Sequence, residues 1–97
     1  IGHAGEAETS TALYVAPDCV DMDVARGEWP QSPKEIRLLT TIPETSKTGA
    51  TGDPCQATAE KGRLIVTALA EYLAAFIKEM DRTGWDFARE DWSFLDS

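Results

Sequence analysis

One segment constrains the fold of this chain more than any other. After Asp53 and Pro54, apolar residues recur at Ile65, Leu69, Tyr72, Leu73, Phe76, Ile77 and Met80, an i, i+4, i+7, i+8 spacing, while Arg63, Glu71, Lys78 and Glu79 take the other faces. Asp53 is a favoured helix cap, and Pro54 suits a first helical position because its missing N–H costs nothing there. Gln56 follows three residues after the cap, where it can complete a capping-box-like arrangement. Lys78, Arg82 and then Gly84 supply the chemistry of a helix stop. The spacing predicts one amphipathic helix over Pro54–Thr83, about 45 Å long at about 1.5 Å per residue. One face of such a helix has to be buried against another layer.

Little else in the chain offers that layer. At 97 residues it buries only a modest fraction of its surface, and most of the remainder reads as loop. Glu6–Ala16 forms a short helix that Pro17 ends by removing a backbone donor. Pro17–Glu35 is a turn-rich connection punctuated by Gly27, Pro30 and Pro33. Ile36–Ile42, closed by Pro43, reads as a short strand rich in branched residues, and Glu44–Gly52 as a loop. Residue 1 is Ile and the only methionines are Met22 and Met80, so the chain is expected to be cut from something longer and not to fold stably alone. The tail places Trp85, Phe87, Trp92 and Phe94 among charges; it is too apolar for a solvated extension and is expected to pack on the protein body or a neighbouring subunit.

Charge and composition exclude several functions. Nine basic against seventeen acidic residues give a net charge of −8, which repels phosphate backbones and argues against nucleic acid as a partner. No apolar run reaches the roughly 20 residues that span a bilayer, so no membrane partner is expected. Cys19 and Cys55 lie far apart with no C-x-x-C or Cys/His neighbourhood, which fits two reduced thiols in a cytoplasmic protein. Asp18, Asp21 and Asp23 lack the glycine and terminal glutamate of a calcium loop and read as a solvated acidic turn. With one histidine, no H-E-x-x-H and no clustered thiols, no metal ligands are assigned within the chain.

The residues that can carry chemistry lie at the start. His3 can donate or accept a proton near neutral pH. Helical side chains tilt toward the N-terminus, so Glu8, in the first turn of the first helix, points back toward His3 and can orient it. Gly2 and Gly5 would allow a substrate to come close. Glu6 and Glu8, two residues apart, lie on different helix faces and do not form a paired-carboxylate site. Thr9 and Ser10 read as structural. On these residues alone, His3 as a proton-transfer group and His3 as a merely packed or solvated residue both stand.

The run His3-Ala4-Gly5-Glu6-Ala7-Glu8-Thr9-Ser10, followed by Leu13-Tyr14-Val15-Ala16-Pro17-Asp18 and by Gly52-Asp53-Pro54-Cys55-Gln56-Ala57-Thr58-Ala59-Glu60-Lys61-Gly62-Arg63, resembles the C-terminal part of the creatininase (creatinine amidohydrolase) family. The resemblance spans about residues 3 to 82. It implies an α/β fold, the C-terminal portion of a three-layer α/β/α domain with a mostly parallel sheet, ending in the long amphipathic helix. Residues 1–84 would be part of that domain and 85–97 an aromatic, acidic extension. The implied function is metal-dependent hydrolysis of a C–N bond in a cyclic amide, amidine-like or formamide substrate, with His3 and Glu8 as catalytic residues. The divalent ions, zinc, manganese or iron, would be bound mainly by residues outside this chain. Creatinine-hydrolysing members carry an acid immediately before the histidine where Gly2 stands here, which turns the expectation away from creatinine itself. The implied partners are a second chain or N-terminal segment of the same enzyme, a small-molecule substrate and further copies in a homo-oligomer. The competing reading is a noncatalytic interaction subunit that docks a partner chain through its long helix and aromatic tail.

Overall fold

The structure, a computed structural model, describes residues 2–31 and 40–96. Two compact units divide the chain, Ile1–Ile65 and Val66–Ser97.

In the first unit, helix α1 spans Glu6–Val15, one residue short of the expected end. Its cap, Gly5, has no side chain to offer. Glu8, at the third helical position, substitutes by accepting the Ala4 N–H at 2.6 Å, and Glu6 and Glu8 set negative charge against the positive end of the helix. Pro17 opens a single turn, Pro17–Cys19, where α1 stops. A further turn, Met22–Val24, is capped by Asp21, whose carboxylate accepts the Asp23 N–H at 3.0 Å. The acidic run thus builds turns.

Residues 36–39 of the expected strand, Ile36–Ile42, lie outside the described residues, and the end of the segment is helical: α2 spans Ile42–Thr45. Glu44 accepts the Thr41 hydroxyl at 2.7 Å and the Thr41 N–H at 3.1 Å, bonds that, in that order, hold its carboxyl below the usual carboxylate range. A local capping box here overrides the strand preference of branched residues. Among the described residues there is no strand, only an isolated bridge between Glu28 and Gly52, with Glu28 N–H donating to Gly52 O at 2.9 Å. The expected α/β class, with a parallel sheet in a three-layer domain, is therefore corrected: the described residues form helices and turns.

The long helix is present but begins later than the sequence signals suggest. Asp53 accepts the Cys55 N–H at 3.0 Å and caps only the single turn Pro54–Gln56. Ala57 is extended, Ser10 Oγ takes the Thr58 N–H at 3.1 Å, and Thr58 Oγ1 accepts the Lys61 N–H at 3.1 Å. Helix α3 then runs Ala59–Arg82. Thr58 is its cap, because three residues separate that hydroxyl from the N–H it satisfies.

Hydrogen bonds hold the first unit together more than apolar burial does. Among its described residues the buried hydrophobic side chains are Ala50 and Ala57, and the buried side chains of Ser10 and Ser46 are both bonded. His3 N–H donates to Thr51 Oγ1 at 2.6 Å and Thr51 N–H returns to His3 O at 2.8 Å. The first turn of α3 crosses α1 so closely that a Cβ on Gly62 would lie 1.9 Å from Ser10 O. Only glycine fits there.

In the second unit the chain reverses where α3 ends. Gly84 and Trp85 have φ of +82° and +58°, and Trp85 N–H bonds Met80 O at 2.8 Å, satisfying a carbonyl of the last turn. The tail returns along the helix and ends in a turn at Ser93–Asp96. Met80 is the one large hydrophobic side chain among the described residues that is completely covered, at 0% exposure. No helix among the described residues is long and apolar enough to cross a membrane.

Candidate functional site

Two places invite a function, one in each unit. The first holds the residues expected to be catalytic. His3 Nδ1 lies 4.0 Å from Glu8 Oε1, with both side chains about half-exposed. The pair is brought together as the helix geometry predicts, but the same carboxylate oxygen holds the Ala4 N–H, so Glu8 serves the turn at the helix start. The chain packs closely on one side of Gly2, where a Cβ would meet Thr51 O at 1.5 Å, while a Cβ on Gly5 would reach Gly52 Cα at an ordinary contact distance of 3.5 Å. A cavity of about 480 Å³ opens nearby, lined among others by Gly5, Glu6, Trp29, Asp53, Lys61 and Leu64. Neither His3 nor Glu8 lines it. The cation on its wall is engaged, since Lys61 Nζ donates to Glu6 Oε1 and to Gln56 O, each at 2.7 Å.

The second place is the face of α3 in the second unit. Leu69, Tyr72, Leu73 and Ile77 are between 48% and 56% exposed, and every residue from 67 to 75 is open to solvent. Arg63 and Lys78 flank a stretch, residues 64–77, in which Glu71 is the only charge. The stripe predicted from periodicity thus exists, with its middle uncovered. At its C-terminal end Phe76 is ringed by tail aromatics, with centroids 6.4 Å away for each of Trp85, Trp92 and Phe94, the first edge-on and the other two stacked. Such pairs contribute roughly 0.5–1.5 kcal/mol each beyond the area they cover.

One residue that the sequence reading did not single out fastens this cluster. The Arg89 guanidinium lies over Phe94 at 4.8 Å and Trp92 at 5.2 Å. It donates to Thr83 Oγ1 at 3.2 Å and Glu79 Oε1 at 3.4 Å, while its Nε bonds Asp91 O at 2.9 Å. Trp92 Nε1 in turn donates to Arg89 O at 2.9 Å. Arg82, bonded at 2.8 Å, and then Arg89 hold the Glu79 carboxyl below its usual range, against the opposing pull of burial. An arginine framed by Trp85, Phe87, Trp92 and Phe94 was the available signal, because guanidinium planes stack on aromatic faces.

Comparison with known proteins gives a family match. The creatininase family model, described as creatinine amidohydrolase, matches residues 1–77. No curated protein and no solved structure matches the chain. The sheet-containing fold that the resemblance implied is absent from the described residues, which are almost wholly helical among their regular elements. The metallohydrolase reading is likewise corrected. Among the described residues no three His, Cys, Asp or Glu side chains gather where they could hold a metal ion, and there is no sheet on which to mount such a centre.

Proposed function

We propose that this chain, which belongs to the creatininase family by its match over residues 1–77, acts as an interaction module that docks a second copy of itself through the uncovered face of α3. The observation that carries the reading is the half-exposed stripe Leu69, Tyr72, Leu73 and Ile77. Along the same face, Val66, Leu69, Leu73, Phe76 and Met80 alternate steps of three and four residues. That spacing suits packing against a like helix at about 20°. A two-fold contact sets the same patch against itself. With Glu71 the only charge in residues 64–77, two copies can approach there without opposing rows of like charge.

Magnitudes favour a self-complementary partner. Covering the remaining surface of a half-exposed Leu, Ile or Tyr contributes about 1 kcal/mol, so the stripe on one copy offers roughly 4 kcal/mol and the two stripes together roughly 8 kcal/mol. Association costs roughly 4–15 kcal/mol. One stripe against a polar surface falls short; two stripes reach the range of a weak, concentration-dependent dimer. Sedimentation equilibrium of the chain beside the double variant Leu69→Asp/Leu73→Asp tests this, with circular dichroism confirming that the helix persists. The chain is expected to show a mass rising toward the dimer with concentration, and the variant to remain a monomer. Equal masses at every concentration overturn the reading and leave the face to a different chain or to a further segment of the same protein.

A further inference from the structure

We propose that the aromatic tail, residues 85–96, is a displaceable cover over one end of this docking face, fastened by Arg89, so that the chain holds part of its own interaction surface closed. The inference rests on the docking reading and concerns its regulation. Phe76 and Met80 continue the line of Leu69 and Leu73, yet they are the two positions the tail occupies. Trp85, Trp92 and Phe94 surround Phe76, Met80 is fully covered, and Leu69 and Leu73 stay open. A second copy packing along the whole line needs the same side chains that the tail now holds.

The attachment is of a kind that can yield. The Arg89 side chain, 17% exposed, ties the tail to Glu79 and Thr83 while lying over two tail rings, so one side chain links nearly every element of the closed arrangement. The turn that directs the tail back is strained at Trp85, which follows Gly84 into the left-handed region, where a bulky side chain is an outlier. Opening the tail relieves that backbone. The tail also leaves its outer surface unsatisfied, with Phe87 72% exposed, so the closed state is not a fully buried end point.

Apparent affinity falls in proportion to the fraction of molecules in the binding-competent state. Releasing the cover should therefore tighten self-association. The test uses the whole chain in a Trp29→Phe background, so that only Trp85 and Trp92 report. Arg89→Ala removes the fastening, Phe94→Ala removes a ring from the stack as an independent route, and Arg89→Lys keeps the charge. Acrylamide quenching reads tail opening; sedimentation equilibrium reads association. Both alanine variants are expected to become more quenchable and to dimerise about tenfold more tightly, with Arg89→Lys intermediate. If they open but associate equally or less well, the tail is no competitor and the inference falls. Unchanged quenching in both overturns Arg89 and the ring stack as the fastening. Failure of the docking reading itself looks different: Leu69→Asp/Leu73→Asp then matches its parent in mass, whether the tail is open or closed.

Discussion

At the scale of single residues, the structure turns on close approaches that small side chains permit. Gly62 lets α3 meet Ser10 of α1 backbone to backbone, with no room for a Cβ. Ser10 then uses its buried hydroxyl to fix the Thr58 N–H and set the start of α3. Because the obstructing atom is a carbonyl oxygen and not the end of a flexible chain, Gly62→Ala has to move a helix. The expected loss is about 1–3 kcal/mol, the range for overpacking a tight contact, despite the gain in helix propensity of up to about 1 kcal/mol that alanine brings. Urea unfolding followed by circular dichroism measures it; a stabilised variant would show that α1 and α3 are not in this contact. The role of Glu8 was only partly legible. Its position after His3 foretold the approach of the two side chains, but that its carboxylate is bonded to the Ala4 N–H follows from the three-dimensional turn.

At the scale of elements, α3 shows how local rules can name a helix and misplace its start. Asp53-Pro54 is a sound helix opening by residue type, yet the tight turn it caps ends at Gln56, and Thr58 performs the cap four residues after Pro54. The end was better marked, because Gly84 takes the left-handed conformation that the residue type favours. The last turn also carries a pH dependence. The Glu79 carboxyl is held below its ordinary value of 4.5 by Arg82 and then Arg89. A lowered folded-state value means that the charged form contributes to the folded arrangement above about pH 4.5, and that this contribution is lost as the pH falls through the lowered value. Fluorescence quenching of the tail tryptophans is expected to stay flat from about pH 8 to pH 5 and to rise below about pH 4. Flat quenching through that acid range would mean that Glu79 does not help to secure the tail.

At the scale of the whole molecule, charge and apolar surface oppose each other. Each copy carries −8, so two copies repel at long range, while the contact proposed between them is nearly free of charge. Screening shortens the reach of that repulsion from about 30 Å at 0.01 M salt to about 8 Å at 0.15 M. Self-association is therefore expected to strengthen over that range of salt. An oppositely charged partner would show the reverse dependence. Sedimentation at two ionic strengths distinguishes them, and weakening of the dimer with salt would contradict a charge-poor, self-complementary seam.

By itself the sequence determined the existence of α1 and α3, the apolar stripe, the acidic surface and the membership that the His3–Ser10 and Gly52–Arg63 motifs announce. Those features depend on residue type and on spacing along the chain, and both can be read without coordinates. The tertiary structure decided whether a sheet forms among the described residues, which oxygen Glu8 serves, and which part of the stripe is covered. The strand expectation failed at its described end because the Thr41–Glu44 capping box holds that backbone in a helical turn. The metallohydrolase expectation lost its support because a metal centre needs side chains converging in space, and motif order along a chain does not supply that among the described residues. The division of one apolar face into an open middle and an end closed by Trp85, Trp92 and Phe94 comes from the reversal at Gly84 and Trp85, a change of direction that periodicity cannot encode.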